Sequence, residues 1–417
     1  MNIKRFQRAL EELNKFGLTD KGINRLAYSE TERKAISHLI NLFKDEGMSV
    51  KVDEIGNVIA RREGLDSSLP AVACGSHIDT VYNGGKYDGT IGVLAGLELV
   101  CYLNENEIET EHSIEVIIFA CEESARFGVA TIGSKVMVGL IENDNIKNLV
   151  DKNGITLNQA ATAYGINIEN LKAAKRENSE IKVFYELHIE QGPVLEKTSV
   201  PIGIVTGIAA PTRFNILING QAAHSGTTPM NYRKDAFLGA TEIALTLEEI
   251  VQKEAKYETV ATVGECKVSP GAMNVVPGKA EMKIDIRSTS ATSKNRVKQK
   301  LLQTITNMEK SRNLQISVTE LSDEIPIKID ESIVQSLRES CNSLSFPYNE
   351  MSSGAGHDAM NLATMCPTGM IFVPSKDGLS HNKDEFTSME QIIQGVKVLI
   401  DIMMKESRIK NSPILKE

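Results

Sequence analysis

In the first half of the chain, hydrophobic positions alternate between helical and extended spacing. The segment SETERKAISHLINLFKDEG carries an apolar stripe and begins with a capping box at Ser29 and Glu32, so it predicts an amphipathic helix. The apolar runs LPAVACGSH, IEVIIFA and KVFYELHIE predict buried strands, and TIGVLAGLELVCYLNENE predicts a helix between the first two. Strands separated by helices of this length indicate an α/β fold with a mostly parallel, mixed sheet flanked by helices.

Near residue 211 the pattern changes to strict alternation of apolar and polar positions, as in TRFNILING and AEMKIDIRS. Such alternation is typical of an antiparallel sheet with one face in water, and two helical segments lie between the strands. The α/β pattern returns at residue 328 with TGMIFVPS and a long final helix. We therefore predict a main domain formed by 1–211 and 328–417, with an α+β domain inserted over 212–327.

Composition and charge narrow the class of partner. The 417 residues include 55 acidic and 46 basic side chains, a formal net charge of −9, which argues against nucleic acid or an anionic membrane as a partner. No apolar run approaches the roughly 18 residues of a membrane span, and the amino-terminal segment predicts an amphipathic helix rather than a signal peptide. The six cysteines are scattered without a CxxC pair. These features indicate a reduced, cytoplasmic protein.

The seven histidines are distributed unevenly. We interpret His38, on the polar face of a helix, and His112, in a charged turn, as surface residues. The others follow predicted strands or lie in glycine-rich loops: His77, His188, His224, His357 and His381. Because the carboxyl ends of parallel strands meet at one edge of a sheet, we expect histidines from different strands to converge there.

Acidic residues accompany these histidines. Glu122 and Glu123 follow the strand IEVIIFA directly, and two adjacent carboxylates are costly to bury without counter-charge. Asp88 lies just before a helix, in GGKYDGTIGV. Imidazole and carboxylate suit zinc or a similar divalent ion, so two metal ions would supply the counter-charge. One glutamate could then bind metal while the other acts as a general base. The motif GSHIDT is weaker, since a structural turn explains an isolated HxD more often.

The chain resembles the hydantoinase/carbamoylase-type amidases, a branch of the dinuclear metallo-exopeptidase and aminoacylase superfamily. The resemblance covers nearly the whole chain in order, through GSHIDT, GGKYDGTIGV, CEESARFG, FYELHIEQGPVLE, HSGTTPM, MNVVPG, DIRS, GAGHDAM and FVPSKDGLSHNKDE. The family includes N-carbamoyl-L-amino acid hydrolases, allantoate amidohydrolases and β-ureidopropionases. It implies an enzyme with a metal-binding catalytic domain and an inserted lid and dimerisation domain.

The resemblance implies a ligand set for two divalent ions. His77, Asp88 and His188 would bind one ion, and Asp88, Glu123 and His381 would bind the other, with Asp88 bridging them. Zinc and manganese are the expected metals, and cobalt and nickel suit the same ligands.

The resemblance also implies catalytic roles. Glu122 would be the general base, and Asp79 would orient the ring of His77. His224 would reach the active site from the partner subunit of a homodimer formed through the inserted domain, and would stabilise the developing oxyanion.

Substrate-binding residues follow from the same resemblance. Asn274 and Arg287 would bind the substrate's α-carboxylate, and Gln191 would bind its ureido group. Without the resemblance, Arg287 would be interpreted as part of a solvated strand face. His357 would contact the substrate, although a loop-stabilising pair with Asp358 explains the motif GAGHDAM as well.

The predicted reaction is hydrolysis of the ureido C–N bond of N-carbamoyl-L-amino acids to amino acid, ammonia and carbon dioxide. The chain has Ser124, Ser225 and Met360 where the family commonly has Gly, Ala and Gln, and Met360 favours a less polar pocket. Allantoate amidohydrolase and β-ureidopropionase are the near alternatives. An aminoacylase or peptidase is more distant, since ELHIEQG and Arg287 argue against it. A non-enzymatic member would be expected to have lost part of the ligand set.

Overall fold

The computed structural model describes residues 1–141 and 144–409. The carboxyl-terminal end of the predicted main domain, up to residue 417, therefore lies partly outside the described residues. Within them, no helix is long and apolar enough to cross a membrane.

Strands and helices alternate along most of the chain. The strands are β1 Leu18–Thr19, β2 Gly22–Ile23, β3 Ser49–Val52, β4 Val58–Arg62, β5 Ala71–His77, β6 Ile114–Phe119, β7 Ile181–Ile189, β8 Ile202–Ile208, β9 Ala210–Asn219, β10 Ala223–His224, β11 Val260–Ser269, β12 Val275–Val276, β13 Lys279–Ser288, β14 Gln315–Asp323, β15 Ile327–Lys328, β16 Tyr348–Ser353 and β17 Thr368–Val373. The α-helices are α1 Ile3–Lys15, α2 Glu30–Asp45, α3 Thr90–Glu105, α4 Ile132–Met137, α5 Leu157–Tyr164, α6 Val194–Thr198, α7 Ala236–Gln252, α8 Ala291–Arg312, α9 Glu331–Ser343, α10 Asp358–Leu362 and α11 Met389–Glu406. Short 3₁₀ helices span Asp144–Asn148, Ile168–Ala174, Met230–Tyr232, Ala255–Tyr257 and Lys376–Gly378.

The described chain divides into two compact units. The first unit comprises Met1–Thr206, Ile329–Met351 and the described residues from Gly356 onward. The second unit comprises Gly207–Lys328 together with Ser352–Ala355. Each unit has its own sheet and its own helices.

The sheet of the first unit is mixed, with a parallel centre. Its strands include β8-β17-β7-β5-β6-β4-β3 in that order, and β16 pairs with β8. The four strands β17, β7, β5 and β6 are parallel, whereas β8 on one side and β4 and β3 on the other join antiparallel. Helices α3 and α11 pack on the central strands, and α3 is buried along almost its whole length because its sequence is apolar on all sides. The predicted α/β fold, a mostly parallel mixed sheet flanked by helices, is confirmed.

The second unit contains a four-stranded antiparallel sheet in the order β11-β13-β9-β14. In β13, buried residues alternate with more exposed ones, as the sequence predicts. Helices α7 and α8 cover the buried face, where their apolar residues form a continuous core with those of β9 and β13. The inserted α+β fold is confirmed, and its role as a lid and dimerisation domain stays a prediction.

The expectation that His112 is a surface residue is wrong. His112 is only 4% exposed, and its ring Nδ1 lies 2.7 Å from the backbone oxygen of Pro70. The turn that carries it leads directly into the fully buried β6, and its backbone also bonds to Ser407 near the end of α11. His38 is half-buried, with its ring 5.7 Å from that of Phe16.

Candidate active site

The parallel strands of the first unit bring their carboxyl ends to one edge of the sheet. His77 is the last residue of β5, and His188 is the second-last residue of β7. Glu122 and Glu123 follow β6, and His381 follows β17. His77, His188 and His381 therefore converge with the two glutamates at this edge, whereas His224 lies in the second unit.

Asp88 lies between the first two histidines, in the loop between β5 and α3. Its Oδ1 atom is 3.4 Å from His77 Nε2 and 3.0 Å from His188 Nε2. The opposite ring nitrogens face backbone oxygens, with His77 Nδ1 3.0 Å from Asp79 O and His188 Nδ1 2.9 Å from Ile189 O. A proton on each Nδ1 satisfies these carbonyls and leaves the Nε2 lone pairs available to a metal ion.

The second oxygen of Asp88 faces a different histidine. His381 Nε2 is 3.2 Å from Asp88 Oδ2 and 3.2 Å from Glu123 Oε1. The side chain of His381 is half exposed, whereas those of Asp88 and Glu123 are buried. Two groups of potential ligands thus share Asp88, and within each group the candidate ligand atoms lie within 4.8 Å of one another.

This donor set fits divalent metal ions. Imidazole nitrogens and carboxylate oxygens are the ligands that zinc and manganese accept. Burial opposes ionisation of Asp88, yet hydrogen bonds with the three histidines hold its pKa well below the usual value. Hydrogen bonds with Asp88 and Glu123 raise the pKa of His381 to about 11. Such a concentration of negative charge favours a cation in place of the histidine protons.

Glu122 lies beside the first ligand group without belonging to either group. Its Oε2 atom is 3.7 Å from His77 Nε2, and the residue is only 7% exposed. Burial raises the pKa of Glu122 well above the usual value, with a further contribution from the charge of Glu123, although His77 opposes the shift. A carboxyl group whose pKa is raised is a stronger base than an ordinary carboxylate, so it is suited to accept and return a proton.

The Asp79 side chain holds the backbone of the glutamate pair. Its Oδ1 accepts the N–H of Glu122 at 3.2 Å, and its Oδ2 accepts the N–H of Glu123 at 3.0 Å. The distance from Asp79 Oδ1 to His77 Nδ1 is 3.6 Å, whereas the backbone oxygen of Asp79 lies 3.0 Å from the same nitrogen. Asp79 therefore contacts His77 chiefly through its backbone oxygen. Its side chain binds the backbone of the two glutamates instead. Cys121, just before the pair, has the left-handed conformation with φ 53°.

Gln191 and His357 lie next to the ligand groups. Gln191 Nε2 donates to Asp88 Oδ2 at 2.9 Å and to Ser380 Oγ at 3.2 Å. His357 is buried, with its ring 4.6 Å from that of His188 in an edge-on arrangement. Burial and the nearby His188 lower the pKa of His357 well below the usual value, so its ring is neutral.

Behind His188 lies a buried polar cluster that the sequence analysis did not identify. Glu186 Oε1 accepts from Ser76 Oγ at 2.7 Å, and its Oε2 accepts the backbone N–H of Ala359 at 2.9 Å. Asp358 Oδ1 accepts from Ser134 Oγ, which anchors the start of α10 to α4. The available signal was the position of Glu186 two residues before His188 in ELHIE, on the same side of the strand.

Glu385 is a second buried acid that the sequence analysis missed. It is 3% exposed, and it accepts hydrogen bonds from the backbone N–H groups of Tyr87 and Asp88 and from Ser380 Oγ. Burial, reinforced by the charge of Asp88, raises the pKa of Glu385 to about 7. The sequence places it four residues after His381, in LSHNKDEF.

The remaining predicted site residues lie in the second unit. His224 is exposed on β10, and its Nδ1 accepts the backbone N–H groups of Gly226 at 3.0 Å and Thr227 at 3.3 Å. These bonds require a lone pair on Nδ1, which places the ring proton on Nε2. β10 pairs with β12, so that His224 lies opposite Val275, and the backbone oxygen of the adjacent Asn274 accepts the N–H of Ser225 at 3.0 Å.

Arg287, on β13, is held by neighbours within the second unit. Its Nε and Nη2 donate to the two oxygens of Asp285 at 3.2 and 3.1 Å, and its Nη1 donates to the backbone oxygen of Gly354 at 3.0 Å. A guanidinium has five N–H donors, so one donor remains on each terminal nitrogen. Those two donors could receive a carboxylate.

Comparison with known proteins places the chain in a family. The model of Peptidase family M20/M25/M40 matches residues 73–405. The N-carbamoyl-L-amino-acid amidohydrolase of Pseudomonas sp. strain NS671 is 40% identical over 399 residues, which cover 95% of this chain and 96% of that protein. The allantoate amidohydrolase of Escherichia coli strain K12 is 35% identical over 404 residues, covering 95% and 97%.

A solved structure supports the same relationship. The amidase of the hydantoinase/carbamoylase family from Burkholderia multivorans superposes with a TM-score of 0.89 and 35% sequence identity, covering 97% of this chain and 98% of that one. The similarity is therefore of sequence and fold, over nearly the full length of each protein. The chain belongs to peptidase family M20/M25/M40, whose members are metal-dependent, and within it to the hydantoinase/carbamoylase amidases, hydrolases that act on carbon–nitrogen bonds other than peptide bonds.

Proposed function

We propose that this amidohydrolase cleaves the ureido C–N bond of N-carbamoyl-L-amino acids, giving the amino acid, ammonia and carbon dioxide. One observation carries the proposal: Asp88 presents one oxygen to His77 and His188 and the other to His381, with Glu122 beside them. The identity of 40% to an N-carbamoyl-L-amino-acid amidohydrolase, against 35% to an allantoate amidohydrolase, supports the choice of substrate.

Two divalent ions form the proposed centre, with zinc or manganese as the expected metals and cobalt or nickel as alternatives. His77, Asp88 and His188 would hold one ion, and Asp88, Glu123 and His381 would hold the other. When bound, the ions would supply Lewis-acid chemistry by polarising the ureido carbonyl group. Asp88 would fix the spacing of the two ligand groups, because it belongs to both.

Glu122 is the proposed general base. It would take a proton from the attacking water and return that proton to the leaving nitrogen when the C–N bond breaks. Its burial and raised pKa support this role, since both favour a carboxyl group that exchanges a proton readily. Asp79 would keep Glu122 in place through the backbone N–H that it accepts.

His224 is proposed to stabilise the oxyanion that develops on the carbonyl oxygen. The Nδ1 contacts of His224 leave Nε2–H as a donor, which is the form that an oxyanion requires. We propose that the partner subunit of a homodimer, joined through the inserted domain, supplies this histidine.

Two sets of residues are proposed to bind the substrate. Arg287, through its two remaining N–H donors, and Asn274 would bind the α-carboxylate. Gln191 and His357, which adjoin the ligand groups, would contact the ureido group. Met360 is buried and supplies a less polar surface than the glutamine usual in the family, which supports an apolar amino acid side chain.

The proposed setting is cytoplasmic, with a small ureido carboxylate as substrate and with neither nucleic acid nor membrane as partner. All six cysteines lie among the described residues as free thiols, which supports a reducing compartment. The net charge of −9 supports the absence of polyanionic partners.

A substrate panel tests this proposal. The protein reconstituted with manganese or zinc would be assayed for ammonia release from N-carbamoyl-L-methionine, N-carbamoyl-β-alanine and allantoate, and for methionine release from N-acetyl-L-methionine. We expect the highest kcat/KM for N-carbamoyl-L-methionine. A higher value for N-carbamoyl-β-alanine or allantoate would replace the proposal by β-ureidopropionase or allantoate amidohydrolase. Hydrolysis of the N-acetyl compound alone would indicate an aminoacylase. It would also contradict the proposal that Gln191 binds a ureido group.

A further inference from the structure

We propose that Glu385 is a positioning residue for the metal centre. It joins the loop that carries Asp88 to the loop that carries His381, and it thereby sets the orientation of the carboxylate shared by both ligand groups. The proposal rests on the metal-binding roles given above to Asp88 and His381.

The contacts of Glu385 lie on both loops. Its Oε1 accepts the backbone N–H groups of Tyr87 at 2.8 Å and Asp88 at 3.2 Å. Its Oε2 lies 2.9 Å from Ser380 Oγ, and that hydroxyl lies 3.0 Å from Asp88 Oδ2. One carboxylate therefore fixes the backbone of Asp88 directly, and it shares the single proton of the Ser380 hydroxyl with the side chain of Asp88, which holds Ser380 beside that side chain.

The loop before Asp88 has a glycine where it passes the Glu385 side chain. A Cβ atom at Gly85 would stand 2.2 Å from Glu385 Cδ, so the loop before Asp88 can approach only with glycine at that position. The ring of Phe386, next to Glu385, meets that of Tyr87 edge-on at 6.1 Å. The glycine and the ring contact thus allow the two loops to lie close together around Glu385.

Removing the carboxylate would release these loops. Alanine at this position would leave the N–H groups of Tyr87 and Asp88 without their acceptor in a buried place and would free Ser380 to rotate. Glutamine would keep the arrangement, because its carbonyl oxygen can accept both N–H groups while its amide donates to Ser380 Oγ. Changes to residues that orient metal ligands typically weaken metal binding about 10–100-fold.

The test measures metal affinity of the full-length protein after chelation, by titrating manganese or zinc against a chromophoric chelator, and records kcat/KM and thermal unfolding without metal. We expect Glu385→Ala to bind metal about 10–100-fold more weakly than wild type. Glu385→Gln should bind within about threefold of wild type, as an amide that keeps the hydrogen bonds would. Glu98→Ala is the matched control: Glu98 is also buried, at 2% exposure, but pairs with Arg5, so its loss should lower stability alone.

Wild-type affinity in Glu385→Ala, with only a lower unfolding temperature, would overturn the inference. If Glu385→Ala does not fold, Ser380→Ala removes the side-chain link alone and should weaken metal binding about 2–10-fold; an unchanged affinity there would also overturn it. If the proposed metal-binding roles of Asp88 and His381 are wrong, the result is different. Wild type itself would then not bind two metal ions, and Asp88→Asn would not change the metal affinity.

Discussion

His381 and Asp88 are far apart in the sequence, yet His381 Nε2 lies 3.2 Å from Asp88 Oδ2. The contact exists because β17, β7 and β5 are parallel neighbours, so the loops that follow them meet at one edge of the sheet. The other oxygen of Asp88 faces His188 at 3.0 Å. Asp88 is therefore the shared member of the two candidate ligand groups, and its substitution should affect both.

Substitution of Asp88 should remove both metal ions, whereas substitution of an unshared ligand should remove one. We expect Asp88→Asn to weaken binding of both ions by more than about 100-fold, beyond the range seen for residues outside the ligand set. His188→Ala and Glu123→Ala should each lose a single, different ion. The measurement is metal content by mass spectrometry after gel filtration, with circular dichroism as the control for folding. Loss of one ion alone in Asp88→Asn would contradict the bridging role.

Mixing two inactive variants tests whether His224 acts in the partner's active site. A heterodimer of Glu122→Gln and His224→Ala contains one site with an intact Glu122 and, if the histidine is supplied by the other subunit, an intact His224. After random exchange, half of the dimers are mixed and one of their two sites is complete, so the mixture should recover about one quarter of wild-type activity.

The controls for this experiment are each variant unfolded and refolded alone, which should stay inactive. A mixture that exchanges subunits but stays as inactive as its components would show that His224 serves the site of its own subunit. A protein that sediments as a monomer while fully active would equally contradict the dimer.

Much of the fold and the main ligand groups could be predicted because they depend on short-range patterns. Apolar runs located β5, β6, β7 and β17, and polar residues at the ends of parallel strands have little freedom to diverge. His77, His188 and His381 were found in this way, and the structure brings them together around Asp88.

The residues that were missed depend on packing between distant segments. Glu385 looks like a surface acid in NKDEF, and only the tertiary structure buries it against the backbone of Asp88. The burial of His112 against Pro70 has the same origin. Likewise, the hydrogen bonds that the Asp79 carboxylate accepts from the backbone of the glutamate pair require the parallel pairing of β5 with β6, which a pattern along one strand does not reveal.

Metal binding should release protons and strengthen as pH rises. Burial opposes the charged forms of His77 and His188, but neighbouring carboxylates outweigh it and raise both pKa values, and the pKa of His381 is raised to about 11. Each histidine must lose a proton to become a ligand, so at neutral pH the cation competes with bound protons. Titration calorimetry in buffers of different ionisation enthalpy measures this release. A metal affinity independent of pH between about 6 and 8 would contradict the prediction.

Arg287 should contribute to substrate affinity through the carboxylate. We expect Arg287→Lys to lower kcat/KM about 10–100-fold, mainly by raising KM, because lysine cannot offer two N–H donors in a fixed plane. N-carbamoyl-L-methioninamide, which lacks the charge, is the matched control substrate. Wild type should hydrolyse it poorly, and Arg287→Lys should reduce that rate little further. An equal loss for both substrates would place Arg287 in a structural role.

Ammonia release from N-carbamoyl-L-methionine by wild type and by Glu122→Gln, each with its metal content determined, tests the proposed chemistry most directly. Wild type should release ammonia, and the variant should bind the same amount of metal while its kcat falls about 10²–10⁴-fold. That loss corresponds to about 3–5 kcal/mol of transition-state stabilisation. Near-normal turnover by Glu122→Gln with full metal content would contradict the assignment of Glu122 as the base.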